Sequence, residues 1–238
     1  MSNLRFKGIV IKSIDYKESD KILTILTFEK GKITVIAKGV KKVRAKLSHA
    51  TRLLYCGNFE IIEAKNRKIL TDASIIADYT NISSDLKKFY YAAHYVEIAS
   101  MAVMEEQPDE DVVRLLLNTL YMLAKDKVEM KLLTVLYEMR MVALNGFAPN
   151  MDSCTLCGKK EKSMKFSIKE GGLVCCDEGM IISEKACDVI RYISSCEDKI
   201  LFKLAVTKDI IDELYFISRQ YLERVFEMKF NKADILND

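Results

Sequence analysis

Two hydrophobic periods divide the chain. Over roughly the first 80 residues apolar positions come in short runs: Gly8-Ile9-Val10-Ile11, then Lys21 to Phe28, then Lys32 to Lys38. Phe59 to Ala64 and Ile69 to Ile76 follow. These runs are rich in β-branched residues and too short for helices, which predicts about five strands. Glu29-Lys30-Gly31 is the expected turn of one hairpin, with glycine supplying the permissive backbone. No helix-length pattern separates the strands, so a small closed barrel of the OB type fits better than a βαβ sheet.

After about residue 82 the period changes to three and four. Ser83 or Ser84 is the expected cap of a helix carrying Leu86, Phe89, Tyr90, Ala93, Val96 and Met101. Asp109-Glu110-Asp111 puts acid in the first turn of a second helix, with Val113, Leu116, Leu117, Leu120 and Ala124 on one face. A third carries Leu132, Val135, Leu136, Met139 and Val142 and ends near Asn145-Gly146. A long closing helix is expected from Thr207 to Phe230. The fold class is therefore α+β: an N-terminal OB-fold β-barrel over residues 1–80, then an all-α helical domain over 81–238. A cysteine-rich insert at about 150–182 interrupts that second domain. The chain holds only 2 prolines, so flexible linkers are scarce.

Charge sharpens this division. The net charge is only +3, but residues 1–80 hold sixteen basic and eight acidic side chains, so the remainder is net acidic. Between Lys30 and Phe59 there are eight basic residues and no acidic one. Such asymmetry points to a polyanion at the N-terminal end. The run Lys38-Gly39-Val40-Lys41-Lys42-Val43-Arg44-Ala45-Lys46 follows directly on a predicted strand. Lys38, Lys41, Lys42, Arg44 and Lys46, with Arg52 beyond, can neutralise phosphates and release counterions, giving sequence-independent, salt-sensitive affinity. A solvated surface loop is the plainer reading. Tyr16, Tyr55 or Phe59 could stack on bases, although core packing is the plainer reading of each ring taken singly.

Seven cysteines, an odd number, argue for a reducing compartment. Cys56, Cys187 and Cys196 stand alone and read as small core hydrophobes. Cys154-Thr155-Leu156-Cys157-Gly158 is half of a zinc knuckle, and seventeen residues separate Cys157 from Cys175-Cys176. Two such pairs can close a tetrahedral site. The second half is irregular: Glu178 stands where a third-residue cysteine is expected, so the fourth ligand is Cys176, Asp177 or Glu178. The other reading is a site that has lost its metal and survives by packing.

Catalytic signatures are missing. The sequence has no phosphate loop, no Gly-x-Gly-x-x-Gly after a strand and no Gly-x-Ser-x-Gly elbow. It has two histidines: His94 falls mid-helix, and His49 lies at the end of the basic loop. A non-enzymatic role is expected. The longest stretch without charge, Met141 to Met151, is too short to span a bilayer, and the N-terminus lacks a signal-peptide core.

These parts in this order resemble the RecO family of bacterial DNA repair and recombination mediators. The resemblance is carried by Gly8-Ile9-Val10-Ile11 and by the run Ile33 to Lys46. It continues in Gly146-Phe147-Ala148-Pro149 before Cys154-x-x-Cys157-Gly158, in Phe166-Ser167, in Gly171-Gly172-Leu173-Val174-Cys175, and in Tyr221-Leu222-Glu223-Arg224. It implies an OB fold, a helical domain and an embedded zinc-finger-like element with a structural zinc. It implies binding of single- and double-stranded DNA, annealing of complementary strands, and action with RecR to load RecA onto DNA coated by single-strand-binding protein. It also implies contact with the C-terminal tail of that protein, a cytoplasmic, nucleoid-associated location, and no membrane or small-molecule substrate. An acidic tail needs a basic rim, for which Arg114, Lys131 and Arg140 are helical candidates, although surface solvation would also explain them. The cysteine pair Cys175-Cys176 departs from the family's usual Cys-x-x-Cys. The loop is lysine-heavy where the family favours arginine and proline, which keeps phosphate contacts but weakens the case for bidentate ones. The competing reading is a protein-interaction adaptor whose helical domain binds partner proteins, with only incidental DNA contact.

Overall fold

A computed structural model describes residues 2–64, 67–161 and 163–230. Five strands form a closed barrel: β1 (Ser2–Tyr16), β2 (Asp20–Thr27), β3 (Gly31–Ala37), β4 (Cys56–Ala64) and β5 (Arg67–Ala77). Their order around the barrel is β1-β2-β3-β5-β4, with β4 returning to β1. This is the expected OB-type barrel. β1 is longer than the run Gly8 to Ile11 suggested. Its first half pairs with β4 from Ser2 to Ile9, and from Gly8 onward it pairs with β2. A register shift between Val10 and Lys12 lets one strand serve two neighbours.

Alternation places the interior. Leu23 and Ile25 of β2, Ile33, Val35 and Ala37 of β3, and Phe59 and Ile61 of β4 point inward with Phe6 and Val10 of β1. At the β2–β3 turn Gly31 has φ +61°, and a Cβ there would lie 1.9 Å from the Gln107 carbonyl oxygen. Only glycine lets that segment approach, where Glu106 N donates to Lys32 O at 3.1 Å and Lys32 Nζ donates to Ser100 O at 2.7 Å.

Helices α1 (Thr80–Ser83), α2 (Leu86–Ala102) and α3 (Glu110–Ala124) belong to the same compact unit as the barrel, and the chain divides between Ala124 and Lys125. Asp85, not Ser83 or Ser84, caps α2: its carboxylate accepts from Lys88 N at 3.0 Å, whereas Ser84 Oγ donates to Asn81 O. A carboxylate at this position also suits the helix dipole, which favours it over the neighbouring hydroxyls.

The second unit is built on α4 (Met130–Leu144), buried on nearly every side, with α5 (Glu184–Ser195) and α7 (Lys208–Phe226) packed against it and the short α6 (Asp198–Leu201) between them. The closing helix stops at Phe226 because Glu227 turns left-handed at φ 53°. Between α4 and α5 lies a small sheet of β6 (Lys165–Ser167), β7 (Gly172–Val174) and β8 (Met180–Ile181), in the order β7-β6-β8. Cys56, Cys187, Cys196 and His94 are all buried. No helix among the described residues is long and apolar enough to cross a membrane.

Candidate nucleic-acid interface and thiolate centre

The cationic segment leaves β3 at Ala37 and returns to β4 at Cys56. Its inner side is anchored by Val40, Ala50 and Leu54, all buried. Its start is fastened to the β1–β2 hairpin: Gly39 N donates to Asp20 Oδ1 at 2.8 Å and Lys41 N donates to Ser19 O at 3.0 Å. Gly39 adopts φ +66° and Arg44 φ +62°, so the chain turns tightly twice. Val40, Ala50 and Leu54 thus face the barrel and the cations face outward.

Those cations fall into two groups. Lys41 Nζ lies 2.6 Å from Asp15 Oδ2, and Lys46 Nζ lies 3.1 Å from Asp72 Oδ1. The Lys41 hydrogen bond holds the Asp15 carboxyl below its ordinary range, and Lys46 does the same to Asp72. Lys38, Lys42, Arg44 and Arg52 are exposed and form no ion pair with any described residue. Val43 stands between two of them, 93% exposed.

Of the three rings considered as stacking surfaces, two are removed by burial. Tyr55 and Phe59 sit in the barrel core, edge to face at 5.7 Å. Tyr16 is 36% exposed at the hairpin, with Lys17 Nζ 5.3 Å from its ring centre. Asp15, Ser19 and Asp20, which fix the loop, carry no local signal of that role, because they lie on another hairpin. The three helical cations weighed for an acidic tail are all engaged: Arg114 with Glu110 and Asp111, Lys131 with Asp212, and Arg140 with Asp198.

The cysteine segment brings Cys154, Cys157, Cys175 and Cys176 together, with all four Sγ atoms within 4.8 Å of one another. Cys154 and Cys176 are 3.8 Å apart, and Cys157 and Cys175 are 3.4 Å apart. Tetrahedral zinc–thiolate bonds of about 2.3 Å would set sulfurs about 3.8 Å apart, so this donor set fits a metal ion. Gly158, at φ +73°, reverses the first half, and Gly158 N donates to Cys154 O at 2.8 Å. Backbone bonds from Thr155 N to Leu173 O and from Leu173 N to Asn150 O, both 2.8 Å, clamp the two halves. The converging set contains thiols alone; Asp177 Oδ1 instead accepts from Glu178 N at 2.8 Å. The Cys175 and Cys157 backbone N–H groups hold the Cys154 thiol down to about 5. The Cys157 and Cys154 thiols hold Cys175 up to about 12, and Cys176 is raised by Cys154.

These parts define a class, an OB-barrel protein whose helical C-terminal region embeds a four-thiol centre. Residues 1–79 match the family model described as Recombination protein O N terminal, and residues 83–234 match Recombination protein O C terminal. The chain is 33% identical to the DNA repair protein RecO of Acetivibrio thermocellus, over 99% of this chain and 97% of that one. It is 31% identical to the DNA repair proteins RecO of Caldicellulosiruptor saccharolyticus, over 95% of each chain, and Caldicellulosiruptor bescii, over 98% of each. The chain belongs to the RecO family of DNA repair proteins.

Proposed function

We propose that the protein is a recombination mediator that binds single- and double-stranded DNA, anneals complementary strands and helps load RecA onto DNA coated by single-strand-binding protein. The barrel domain, residues 1–80, is the DNA-binding module. Lys38, Lys42, Arg44 and Arg52 contact phosphates directly, and Lys41 and Lys46 add to the field while exchanging with their carboxylates. The observation that carries this reading is the outward set of four cations, with no ion pair to any described residue, on a loop fixed to the barrel. Annealing follows if that surface screens the repulsion between two strands and leaves their bases free to pair. RecR and the tail of single-strand-binding protein are the partners, in the bacterial cytoplasm at the nucleoid. Cys154, Cys157, Cys175 and Cys176 hold a structural zinc that closes the β6–β8 module, and a closed thiolate set leaves no open position for substrate.

The test is fluorescence anisotropy with single-stranded DNA across a salt series, with annealing measured in parallel. Lys42→Glu/Arg44→Glu is expected to weaken binding at least tenfold at low salt and to flatten the salt dependence. Unchanged affinity and slope would remove the loop from the function.

A further inference from the structure

Beyond the cationic run, the same loop roofs a cleft within the barrel unit. Its volume is about 380 Å³, within the range of small-ligand sites. Its walls are largely apolar: Leu53, Leu54, Tyr55, Ile75, Ala77 and Tyr79. Polar groups stand among them, with His49 and Arg52 from the loop, and Asp78, Ser83 and Ser84 opposite. The His49 ring meets Tyr55 edge to face at 5.6 Å, so the imidazole is seated on the aromatic wall. Tyr79 turns its hydroxyl away to Leu117 O at 3.3 Å, which leaves its ring as lining.

We infer that this cleft is a nucleobase subsite, taking one unpaired base from a single strand whose backbone follows the cationic loop. The inference rests on the proposed DNA binding and adds a contact to it. A base is flat, uncharged and apolar on its faces, and its edge carries N–H donors and acceptors. Leu53, Ile75 and Ala77, with the Tyr55 and Tyr79 rings each 7% exposed, suit the faces, while Ser83 and Asp78, whose Oδ1 already accepts from Thr80 N at 2.8 Å, suit the edge. Arg52, exposed and without an ion pair to a described residue, is placed to hold the phosphate joined to that base. Asp78 disfavours the alternatives, because a free phosphate or an acidic peptide would bring negative charge against its carboxylate. A base inside a duplex is stacked and paired on all sides, so the cleft selects single strands.

The test compares a fluorescein-labelled twelve-residue oligothymidylate with an abasic strand of equal length, both against the full-length protein by anisotropy. The wild type is expected to bind the thymidylate about tenfold more tightly than the abasic strand, the scale of one base held against aromatic and apolar walls. Ser83→Trp, which sets an indole across the cleft, is expected to remove that preference and leave abasic binding unchanged. Ile75→Ser, at a position already 57% exposed, carries the same expectation if the tryptophan variant does not fold. Equal binding of both strands by the wild type, or a preference that survives in the folded variants, overturns the subsite while DNA binding by the loop stands. Binding of neither strand defeats the DNA-binding reading itself. A fluorescent acidic peptide that binds wild type and is lost in Ser83→Trp, with thymidylate affinity unaltered, assigns the cleft to a peptide and overturns the base.

Discussion

Lys41 Nζ and Asp15 Oδ2 lie 2.6 Å apart, which ties one cation of the basic loop to the β1–β2 hairpin. Asp15 also sits 3.7 Å from Lys21 Nζ. A carboxylate placed there subtracts from the positive field of the loop and competes with any phosphate for Lys41. Asp15→Asn is therefore expected to tighten single-stranded DNA binding two- to threefold at low salt. It should also steepen the logarithmic salt dependence by about 0.7, the equivalent of one further phosphate. A salt titration in which wild type and variant coincide would show that Lys41 plays no part.

For the thiolate centre, elemental analysis of protein purified without chelator is expected to find one zinc per chain. Cys154→Ser and Cys176→Ser should each lose it, and Glu178→Ala should keep it, because the converging donors are the four thiols. Zinc retained in Cys176→Ser but lost in Glu178→Ala would move the fourth ligand to the carboxylate.

In metal-free, reduced protein the Cys154 and Cys175 thiols make stability depend on pH in opposite senses. Cys154, lowered from its ordinary 9.0 to about 5, binds fewer protons folded than unfolded between those values. Its contribution to stability is complete above 9 and disappears as pH falls through 5. Cys175, raised from 9.0 to about 12, acts in the opposite sense, and its contribution declines as pH rises from 9 to 12. Denaturant unfolding of wild type relative to Cys154→Ala should show stability rising from pH 5 to 9. Thiolate absorbance near 240 nm should retain one equivalent well below pH 8. A flat difference between the two proteins across that range would contradict the assignment.

Gly172 is a point of close approach. A Cβ there would meet Asn150 O at 2.4 Å and Asn150 N at 2.8 Å, both backbone atoms that cannot rotate aside. Gly172→Ala is expected to cost about 2–3 kcal/mol in denaturant unfolding, the scale of overpacking against fixed structure. It should also weaken zinc retention, because Asn150 and Thr155 bond to Leu173 beside it. A variant as stable as wild type would mean that the strands separate freely.

The barrel strands were legible because alternation in Ile33 to Ala37 and Leu23 to Ile25 is a direct consequence of the pleat. The cysteine spacing was legible too, since two pairs on tight turns converge with little freedom in between. What the sequence hid were partners distant along the chain. Lys41 and Lys46 read like the other loop cations, but their acids lie on β1 and β5, 26 residues away in either direction. For Tyr55 and Phe59, base stacking stood as an alternative to the favoured core role, and the barrel interior claims both. Helix α5 is not among the elements expected from sequence, although Ala186, Val189, Ile190 and Ile193 follow the helical period; its single short apolar face lies directly after the cysteine segment.

The barrel does not close equally all round. β3 and β5 meet in parallel through one paired position, Ile36 with Ile69, whereas the other seams are long antiparallel ladders. Ile36 is the penultimate residue of β3, directly before the basic loop departs. The loop is therefore hung from the least fastened seam of an otherwise tightly sewn wall. If the proposed DNA binding holds, local opening would cost least at this seam, so the cations could adjust to a nucleic-acid backbone without loosening the long antiparallel ladders.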